Sequence, residues 1–279
     1  MFELCCTVRG CSRILELREN GLHCAAGHHF DRARAGYWNL LQPQDTKSRR
    51  AGDSDEAVLA RRRWLDGGHM NGLLSFLRSW LAAHPDGHAD DQIDRVIDLG
   101  CGEGYFGAAL FAEPKFSYCG IDLSKRAIKL AARRWPQATW VMANADRFLP
   151  AADRSVRRVV SLFGRRPISE IERVLADDGE VLVAVPAEDD LIELRSEVQQ
   201  AGHRRRRWEM IVDQFSAAGF ACRMHQNWTE QIDLDRDAVH DAAAMSYRGV
   251  RHSQQERLQS LDAMEVTVSA DLLGFNRRT

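Results

Sequence analysis

The sequence lacks the features of a membrane-spanning or exported chain. None of its apolar runs approaches the roughly 20 residues that a helix needs to cross a bilayer. Its opening, MFELCCTVRG, does not have the basic start and long apolar stretch of a signal peptide. We therefore expect a cytoplasmic protein, whose thiols stay reduced.

The chain also has little net charge and no internal repeat. Its 38 Lys and Arg residues face 40 Asp and Glu residues, which leaves a formal charge of -2. This balance excludes a globally basic nucleic-acid-binding protein, although the islands KSRR, ARRRWL and HRRRRW could contact phosphate locally. The length of 279 residues has room for one large domain or two smaller ones.

Cysteine, by contrast, is concentrated near the beginning. Four of the seven cysteines fall within the first 24 residues, and clustered thiols in a reducing compartment more often bind metal than form disulfides. One candidate ligand pair is Cys24 and His28, spaced C-x3-H. The other ends at Cys11 and begins at Cys6 or Cys5; we prefer Cys6 because it gives the tighter loop. Two such pairs are typical of a zinc knuckle.

The residues between the two pairs, SRILELRENGLH, predict a hairpin of two short strands turned at RENG. Four protein ligands complete a tetrahedron and leave no open position, so we predict a structural zinc site. His29 is an alternative to His28, but beside FDRA it is better suited to packing. The competing interpretation is a small core of reduced cysteines, although so short a segment rarely folds without a bound metal or another cross-link.

The rest of the chain predicts helices followed by alternating strands and helices. One helix has Ser54 as its N-cap, and a second covers MNGLLSFLRSWLAAH before the polar boundary PDGHADDQID. From Arg95 onward, RVIDLG, SYCGIDLS, TWVMANAD, RRVVSLFG and EVLVAVP predict strands, and ISEIERVLADDG predicts a helix closed by Gly179. This alternation indicates a doubly wound α/β sheet. FACRMHQNW and MEVTVSADLLGF predict two further strands.

A glycine loop, DLGCGEGYF, follows the first of these strands. Its spacing is G-x-G-x-G after an acid, unlike the G-x-G-x-x-G of dinucleotide sites, and suits a ligand without a pyrophosphate. We predict that this loop holds the amino-acid part of S-adenosylmethionine, with Asp98 on the ammonium side. Asp122 ends the next strand, where an acid can accept both ribose hydroxyls, and the loop ANADRFLP would flank the adenine. The predicted cofactor residues are Asp98, Gly100, Gly102, Glu103, Gly104, Tyr105, Asp122, Leu123, Asn144, Ala145 and Asp146.

The chain resembles the bacterial 23S rRNA (guanine-N1)-methyltransferases, which include the tylosin-resistance type. The resemblance rests on five segments in this order: the cysteine/histidine knuckle, FDRARAGYWNLL, GDSDEAVLARRRWLDGGH, VIDLGCGEGYF and GIDLSKRAIKLAARRWP. The resemblance runs through most of the sequence. It implies a Rossmann-like class I methyltransferase sheet with a small N-terminal zinc-ribbon domain that helps hold rRNA. It also implies a target guanine in a hairpin loop of domain II of 23S rRNA, and is compatible with a homodimer.

On this basis we divide the chain into a zinc-binding RNA-recognition domain (1–36), a helical linker region (37–90) and a methyltransferase domain (91–279). Arg49 and Arg50, just after the zinc segment, are expected to contact phosphate.

Methylation at guanine N1 requires a base that removes the N1 proton. Asp53, His69, Asp146 and Glu103 are candidates, and the sequence does not choose among them. Phe163, in the loop after the fourth strand, could stack on a base turned out of its helix. We take Asp53, His69 and Phe163 as the catalytic predictions.

Two competing functions stay open. One is a methyltransferase that acts on another RNA, a protein or a small molecule; the other is a catalytically inactive RNA-binding protein of the same fold. The zinc knuckle argues against a small-molecule enzyme, and the intact Asp98, glycine loop and Asp122 argue against an inactive one.

Overall fold

The fold is taken from a computed structural model that describes residues 2–19, 21–46, 53–83, 93–199, 206–246 and 260–278. Arg49, Arg50 and most of the predicted boundary segment PDGHADDQID lie outside the described residues.

The N-terminal segment forms a small antiparallel sheet of β1 (Leu15–Arg18), β2 (Gly21–Cys24) and β3 (His29–Asp31), in that order. In its hairpin Leu15 pairs with Cys24 and Arg18 with Gly21, which confirms the predicted turn at RENG.

The central sheet has eight strands. They are β4 (Trp38–Asn39), β5 (Asp94–Leu99), β6 (Phe116–Asp122), β7 (Thr139–Met142), β8 (Val156–Leu162), β9 (Leu175–Pro186), β10 (Phe220–Leu234) and β11 (Met264–Arg277). Their order is β10-β11-β9-β8-β5-β6-β7-β4. Strands β4 to β9 pair in parallel, whereas β11 is antiparallel to both of its neighbours. The strand order reverses at β5, since β6 and β7 lie on one side of it and β8 and β9 on the other. Ligands of such sheets bind at the carboxyl ends of the strands at this point.

Helices connect these strands. They are α1 (Asp55–Asp66), α2 (Asn71–Ala83), α3 (Tyr105–Phe111), α4 (Lys125–Arg134), α5 (Ile168–Val174), α6 (Ile192–Gln199), α7 (Trp208–Ala217) and α8 (Arg236–Ser246), with a 3-10 turn over Pro43–Thr46. The predicted cap of α1 is present, since Ser54 Oγ accepts a hydrogen bond from the Ala57 N–H at 3.1 Å. The doubly wound α/β prediction is confirmed. No helix in the described part of the chain is both long and apolar enough to cross a bilayer.

The prediction that one helix runs to Gly179 is wrong. That helix, α5, ends at Val174, and β9 begins at the next residue. LADDG lies within this strand instead, with Leu175 opposite Val156 of β8 and the pairing resumed at Glu180 opposite Arg158. A Cβ at Gly179 would lie 2.8 Å from the Arg157 carbonyl oxygen, so the close approach of β8 requires glycine here. Strand pairing with a distant segment outweighs the local helical pattern.

The N-terminal segment and the central sheet share one hydrophobic cluster. Phe2 and Leu22 are fully buried in it together with Ile97 of β5 and Phe215 of α7. In addition β4, which lies in the predicted linker, extends the central sheet by pairing with β7. The zinc segment is therefore packed onto the sheet, and the predicted three-part division stays a prediction.

On the other face, Trp140 fills the space beside two glycines. A Cβ at Gly120 would lie 2.4 Å from the indole ring, and one at Gly104 would lie 2.7 Å from it. We expect Gly120→Ala to lower the unfolding free energy by about 1–3 kcal/mol through overpacking, measured by urea denaturation. If the clash is the cause, the same change should cost less in a Trp140→Phe background; full additivity of the two changes would contradict it.

Candidate functional site

The four predicted metal ligands come together in the N-terminal segment. The side-chain ligand atoms of Cys6, Cys11, Cys24 and His28 all lie within 4.8 Å of one another. The Cys11 and Cys24 Sγ atoms are 3.7 Å apart, and His28 Nδ1 lies 3.3 Å from Cys24 Sγ and 3.4 Å from Cys6 Sγ. A zinc tetrahedron with ordinary bond lengths has edges of about 3.8 Å between sulfurs and about 3.6 Å between sulfur and nitrogen. The residues present fit zinc.

Two glycine turns bring the ligands to one point. Gly10 has φ of 76° just before Cys11, and Gly27 has φ of 84° just before His28. In the second turn the Gly27 N–H donates to the carbonyl of Cys24 at 2.9 Å. Glycine occupies this left-handed conformation without the steric cost that a Cβ brings.

Backbone groups also lower the pKa of one of the predicted ligand thiols. Burial would raise the pKa of Cys24, but the backbone N–H groups of His28 and Ala26, together with hydrogen bonds to the Cys11 and His28 side chains, lower that pKa to about 6. A deprotonated thiol is the form that binds metal. The alternatives Cys5 and His29 are not part of the group. Burial raises the pKa of Cys5 to about 11, and His29 stacks on His23 with ring centroids 4.3 Å apart.

The glycine loop lies at the carboxyl end of β5. Gly100, Gly102 and Gly104 have φ of 71°, 57° and 77°. Neighbours crowd the first and third positions, because a Cβ at Gly100 would lie 3.1 Å from the Cα of Gly164. Gly102 is buried but less crowded, since the nearest atom to a Cβ there is Arg61 Nη1 at 3.7 Å, an ordinary contact distance. The Arg61 side chain therefore lies over the backbone at Gly102.

Asp122 at the end of β6 forms the rim of this loop. Its Oδ2 accepts the Gly102 N–H at 3.0 Å and its Oδ1 accepts the Ser124 N–H at 2.7 Å. Burial raises the pKa of Asp122, and the two N–H groups oppose that rise. Each carboxylate oxygen can accept more than one hydrogen bond, so capacity is left for a ligand's hydroxyl groups.

Two further acids are buried around the loop. Asp98 accepts a hydrogen bond from the Tyr118 hydroxyl at 2.7 Å, and burial raises the pKa of Asp98 to about 7. Glu103 is 1% exposed, burial raises its pKa, and its Oε2 has no hydrogen-bond partner among the described residues. Buried carboxylates close together favour a cationic ligand, which offsets their mutual repulsion.

The remaining predicted cofactor residues lie at the neighbouring edge. Asn144 Oδ1 accepts the Asp146 N–H at 3.1 Å, and the Asp146 carboxylate pairs with Arg165 at 2.8 Å. Tyr105 turns toward α2, where its hydroxyl donates to Asn71 Oδ1 at 2.9 Å. Leu123 and Ala145 are half-buried beside these residues.

The three predicted catalytic residues do not share one place. Asp53 pairs with Arg61, so it lies beside Gly102. Phe163 follows β8, is 39% exposed, and holds a left-handed φ of 63°. Its ring centroid lies 6.4 Å from that of Phe106 in α3.

His69 lies elsewhere. It packs on Trp64 with ring centroids 4.5 Å apart, and burial lowers its pKa while Asp235 and Asp241 oppose that shift. None of these partners belongs to the glycine loop.

All three arginines of the basic island in α1 form ion pairs with acidic side chains. Arg62 pairs with Asp66 at 3.2 Å, and Arg63 Nε donates to both Asp241 oxygens at 2.9 and 3.1 Å. Arg61 reaches the glycine loop, a position for which the sequence ARRRWL carries no signal.

Comparison with known proteins identifies the family. Residues 5–49 match the zinc-ribbon family described as RlmA, N-terminal, and residues 96–182 match the family described as methyltransferase domain. The 23S rRNA (guanine(748)-N(1))-methyltransferase of Streptomyces fradiae is 32% identical over 240 residues, which cover 84% of this chain and 82% of that protein. The chain belongs to the 23S rRNA (guanine-N1)-methyltransferase family.

A second relative agrees with this membership, and a solved structure agrees with the fold. A Micromonospora griseorubida protein assigned as a 23S rRNA (guanine-N(1)-)-methyltransferase is 35% identical over 62% of this chain and 61% of that protein. A solved complex between the Haloferax volcanii Trm112 methyltransferase activator and a methyltransferase matches with a TM-score of 0.52 at 20% identity, over 83% of this chain and 100% of that one, which shows the fold alone.

This member of the family is an S-adenosylmethionine-dependent methyltransferase with an N-terminal zinc ribbon. The predictions of family, fold class, enzyme class and cofactors are thereby confirmed.

Proposed function

We propose that this protein methylates N1 of a guanine in a hairpin loop of domain II of 23S rRNA. The observation that carries the proposal is membership of a family whose Streptomyces fradiae relative, named for methylation of guanine 748, aligns with 84% of the chain. The shared core of zinc ribbon and central sheet supports it, because an RNA-holding module rigidly joined to the catalytic sheet can present one loop to one cofactor.

We propose that Cys6, Cys11, Cys24 and His28 hold one structural zinc ion. Four protein ligands exclude water from the metal, so the ion orders the ribbon and takes no part in chemistry. The cofactor would lie against the glycine loop, with Asp122 on its ribose, the acids Asp98 and Glu103 on its cationic side, and the loop that contains Asn144, Ala145 and Asp146 along its adenine.

Bound S-adenosylmethionine supplies an electrophilic methyl group. The protein aligns guanine N1 with that group and removes the N1 proton. Among the candidate bases the geometry favours Asp53, because Arg61 holds its carboxylate beside Gly102. Asp146 also pairs with an arginine, Arg165, but it belongs to the loop assigned to the adenine, and His69 lies on Trp64.

Phe163 is suited to stack on the extruded guanine, because its ring is exposed at the edge where the cofactor loop lies. Stacking of a base on an aromatic side chain is worth about 1–3 kcal/mol. We expect Phe163→Ala to lower kcat/KM for rRNA by roughly 5- to 150-fold. Affinity for S-adenosylmethionine should not change, and Phe163→Tyr should restore most of the activity.

Met210→Ala is the control for Phe163→Ala, because it also removes an exposed apolar side chain, here on α7. It should leave rRNA methylation unchanged. A loss of cofactor affinity in Phe163→Ala equal to its loss of activity would contradict the stacking role.

The proposed activity is tested by transfer of tritium from labelled S-adenosylmethionine to unmodified 23S rRNA and to total cell protein. We expect label in the rRNA, with a block to reverse transcription at one guanine; position 748 is read first because it is named in the Streptomyces fradiae relative. Label only in protein, or only in other RNA, would contradict the proposed target. The homodimer and the cytoplasmic location stay predictions.

A further inference from the structure

A buried ion pair joins the 3-10 turn after β4 to the loop after β7. Asp45, in the 3-10 turn after β4, is 7% exposed and accepts hydrogen bonds from Nε and Nη2 of Arg147 at 2.8 and 2.9 Å. The carboxylate also accepts the Gln42 N–H at 2.8 Å and the Asn144 side-chain amide at 3.3 Å. Burial alone would raise the pKa of Asp45, but these donors, with Arg147 first, lower it, so the group is a fully bonded carboxylate.

The same arginine reaches the metal site. Its Nη1 donates to the carbonyl oxygen of Thr7 at 2.8 Å, and Thr7 directly follows the ligand Cys6. The Thr7 hydroxyl donates to the Leu40 carbonyl at 2.6 Å, and the Leu40 N–H donates to the Met142 carbonyl at 2.9 Å. Hydrogen bonds therefore join Thr7 to Arg147 in the loop after β7 and, through Leu40, to Met142 at the end of β7.

The loop that these hydrogen bonds reach is the third loop of the cofactor site. Asn144 lies between the Asp45 carboxylate and the Asp146 N–H. One residue earlier, the Ala143 N–H donates to the Asp122 carbonyl at 3.3 Å. Hydrogen bonds thus connect this loop, through Asp45 and Arg147, to Thr7, the residue after the ligand Cys6.

We propose that Asp45 and Arg147 are positioning residues that couple the zinc site to the cofactor site, so that zinc and S-adenosylmethionine each tighten the binding of the other. Zinc orders the backbone at Cys6 and Thr7, which gives Arg147 a fixed acceptor and presents Asp45 to Asn144. A loop that is already ordered loses less conformational entropy when the cofactor binds. The inference rests on the ligand assignments proposed above and does not depend on the RNA target.

Thermodynamic linkage makes the effect measurable in both directions. The test measures zinc affinity by equilibrium competition with a chromogenic chelator, with and without saturating S-adenosylhomocysteine, and titrates S-adenosylhomocysteine into the zinc-loaded protein by calorimetry. In the parent protein we expect S-adenosylhomocysteine to tighten zinc about 10-fold, within the usual range of coupling between sites.

Arg147→Lys should abolish most of this effect, because an ammonium cannot bridge a carboxylate and a carbonyl as the planar guanidinium fork does. The zinc-loaded variant should also bind S-adenosylhomocysteine about 5-fold or more weakly. If Arg147→Lys does not fold, Asp45→Asn replaces it, since it keeps the side-chain shape and removes the charge.

Arg157→Lys is the matched control. Arg157 also bridges two acceptors, the carboxylates of Asp94 and Asp178 at 3.2 and 3.4 Å, but it lies near the start of β8, away from the carboxyl ends of the strands. Its side chain is 21% exposed against 25% for Arg147. This variant should keep the full coupling.

Three outcomes would overturn the inference. The first is zinc affinity in the parent that does not respond to S-adenosylhomocysteine. The second is equal coupling in the parent and in Arg147→Lys, and the third is equal loss in Arg147→Lys and Arg157→Lys. Absence of any S-adenosylhomocysteine binding by the parent would overturn the cofactor assignment and the coupling together, whereas methylation of a different RNA would affect neither.

Discussion

Cys24→Ser is expected to release zinc and to lower the free energy of unfolding by several kcal/mol. Cys24 is the thiol that backbone N–H groups prepare as a thiolate, and a serine hydroxyl does not replace it as a zinc ligand. In zinc-finger peptides a structural zinc ion contributes about 10–16 kcal/mol of apparent binding free energy, which is also folding free energy.

The loss should spread beyond the ribbon, because Phe2 and Leu22 share their hydrophobic cluster with the central sheet. Zinc content by mass spectrometry and urea denaturation measure the two effects. Cys5→Ser is the matched control: it makes the same chemical change one residue from Cys6, at a buried thiol outside the ligand group. It should keep one zinc ion per chain. Zinc retained in Cys24→Ser, or lost in Cys5→Ser, would contradict the ligand assignment.

The second large effect is expected at the cofactor site, where Asp122→Asn should weaken S-adenosylmethionine binding by about 1–3 kcal/mol, or roughly 5- to 150-fold. The change removes the charge and replaces one acceptor oxygen by an N–H₂ group. It therefore weakens bonds to ribose hydroxyls and also places a donor against the N–H of Gly102 or Ser124. Calorimetric titration with S-adenosylmethionine measures the loss.

Asp190→Asn provides the comparison for Asp122→Asn. Asp190 is another buried carboxylate that accepts a backbone N–H, that of Ser269 at 3.1 Å, but it follows β9 and not the glycine loop. Burial raises the pKa of Asp190 to about 6, and it also raises the pKa of Asp122. This variant should bind the cofactor as the parent does, and both variants should keep zinc. Unchanged cofactor affinity in Asp122→Asn would rule out the ribose role.

Much of the architecture was predictable because its signals are local. The alternation of apolar runs and helical patterns predicts the doubly wound sheet, and Ser54 marks the start of α1. The helix that was expected to reach Gly179 shows the limit of local signals, since pairing of β9 with β8 decides where α5 ends. Strand β4 is only two residues long and carries no periodic pattern of its own.

The same division holds at the site. The types and spacing of the zinc ligands and of the glycine loop are properties of short segments, so the sequence alone was enough to predict both ligand classes. It could not place His69 on Trp64, because that depends on the turn between α1 and α2.

Only the folded chain shows which thiol belongs to the cluster of predicted zinc ligands. It also shows which arginines lie beside the loops of the predicted cofactor site. Cys6 enters the group and Cys5 does not, because backbone pairing sends neighbouring side chains in opposite directions. Arg147 meets Asp45 across 102 positions of sequence. Contacts between such distant residues form only when separate elements pack together, and they leave no periodic or spacing signal in the sequence from which they arise.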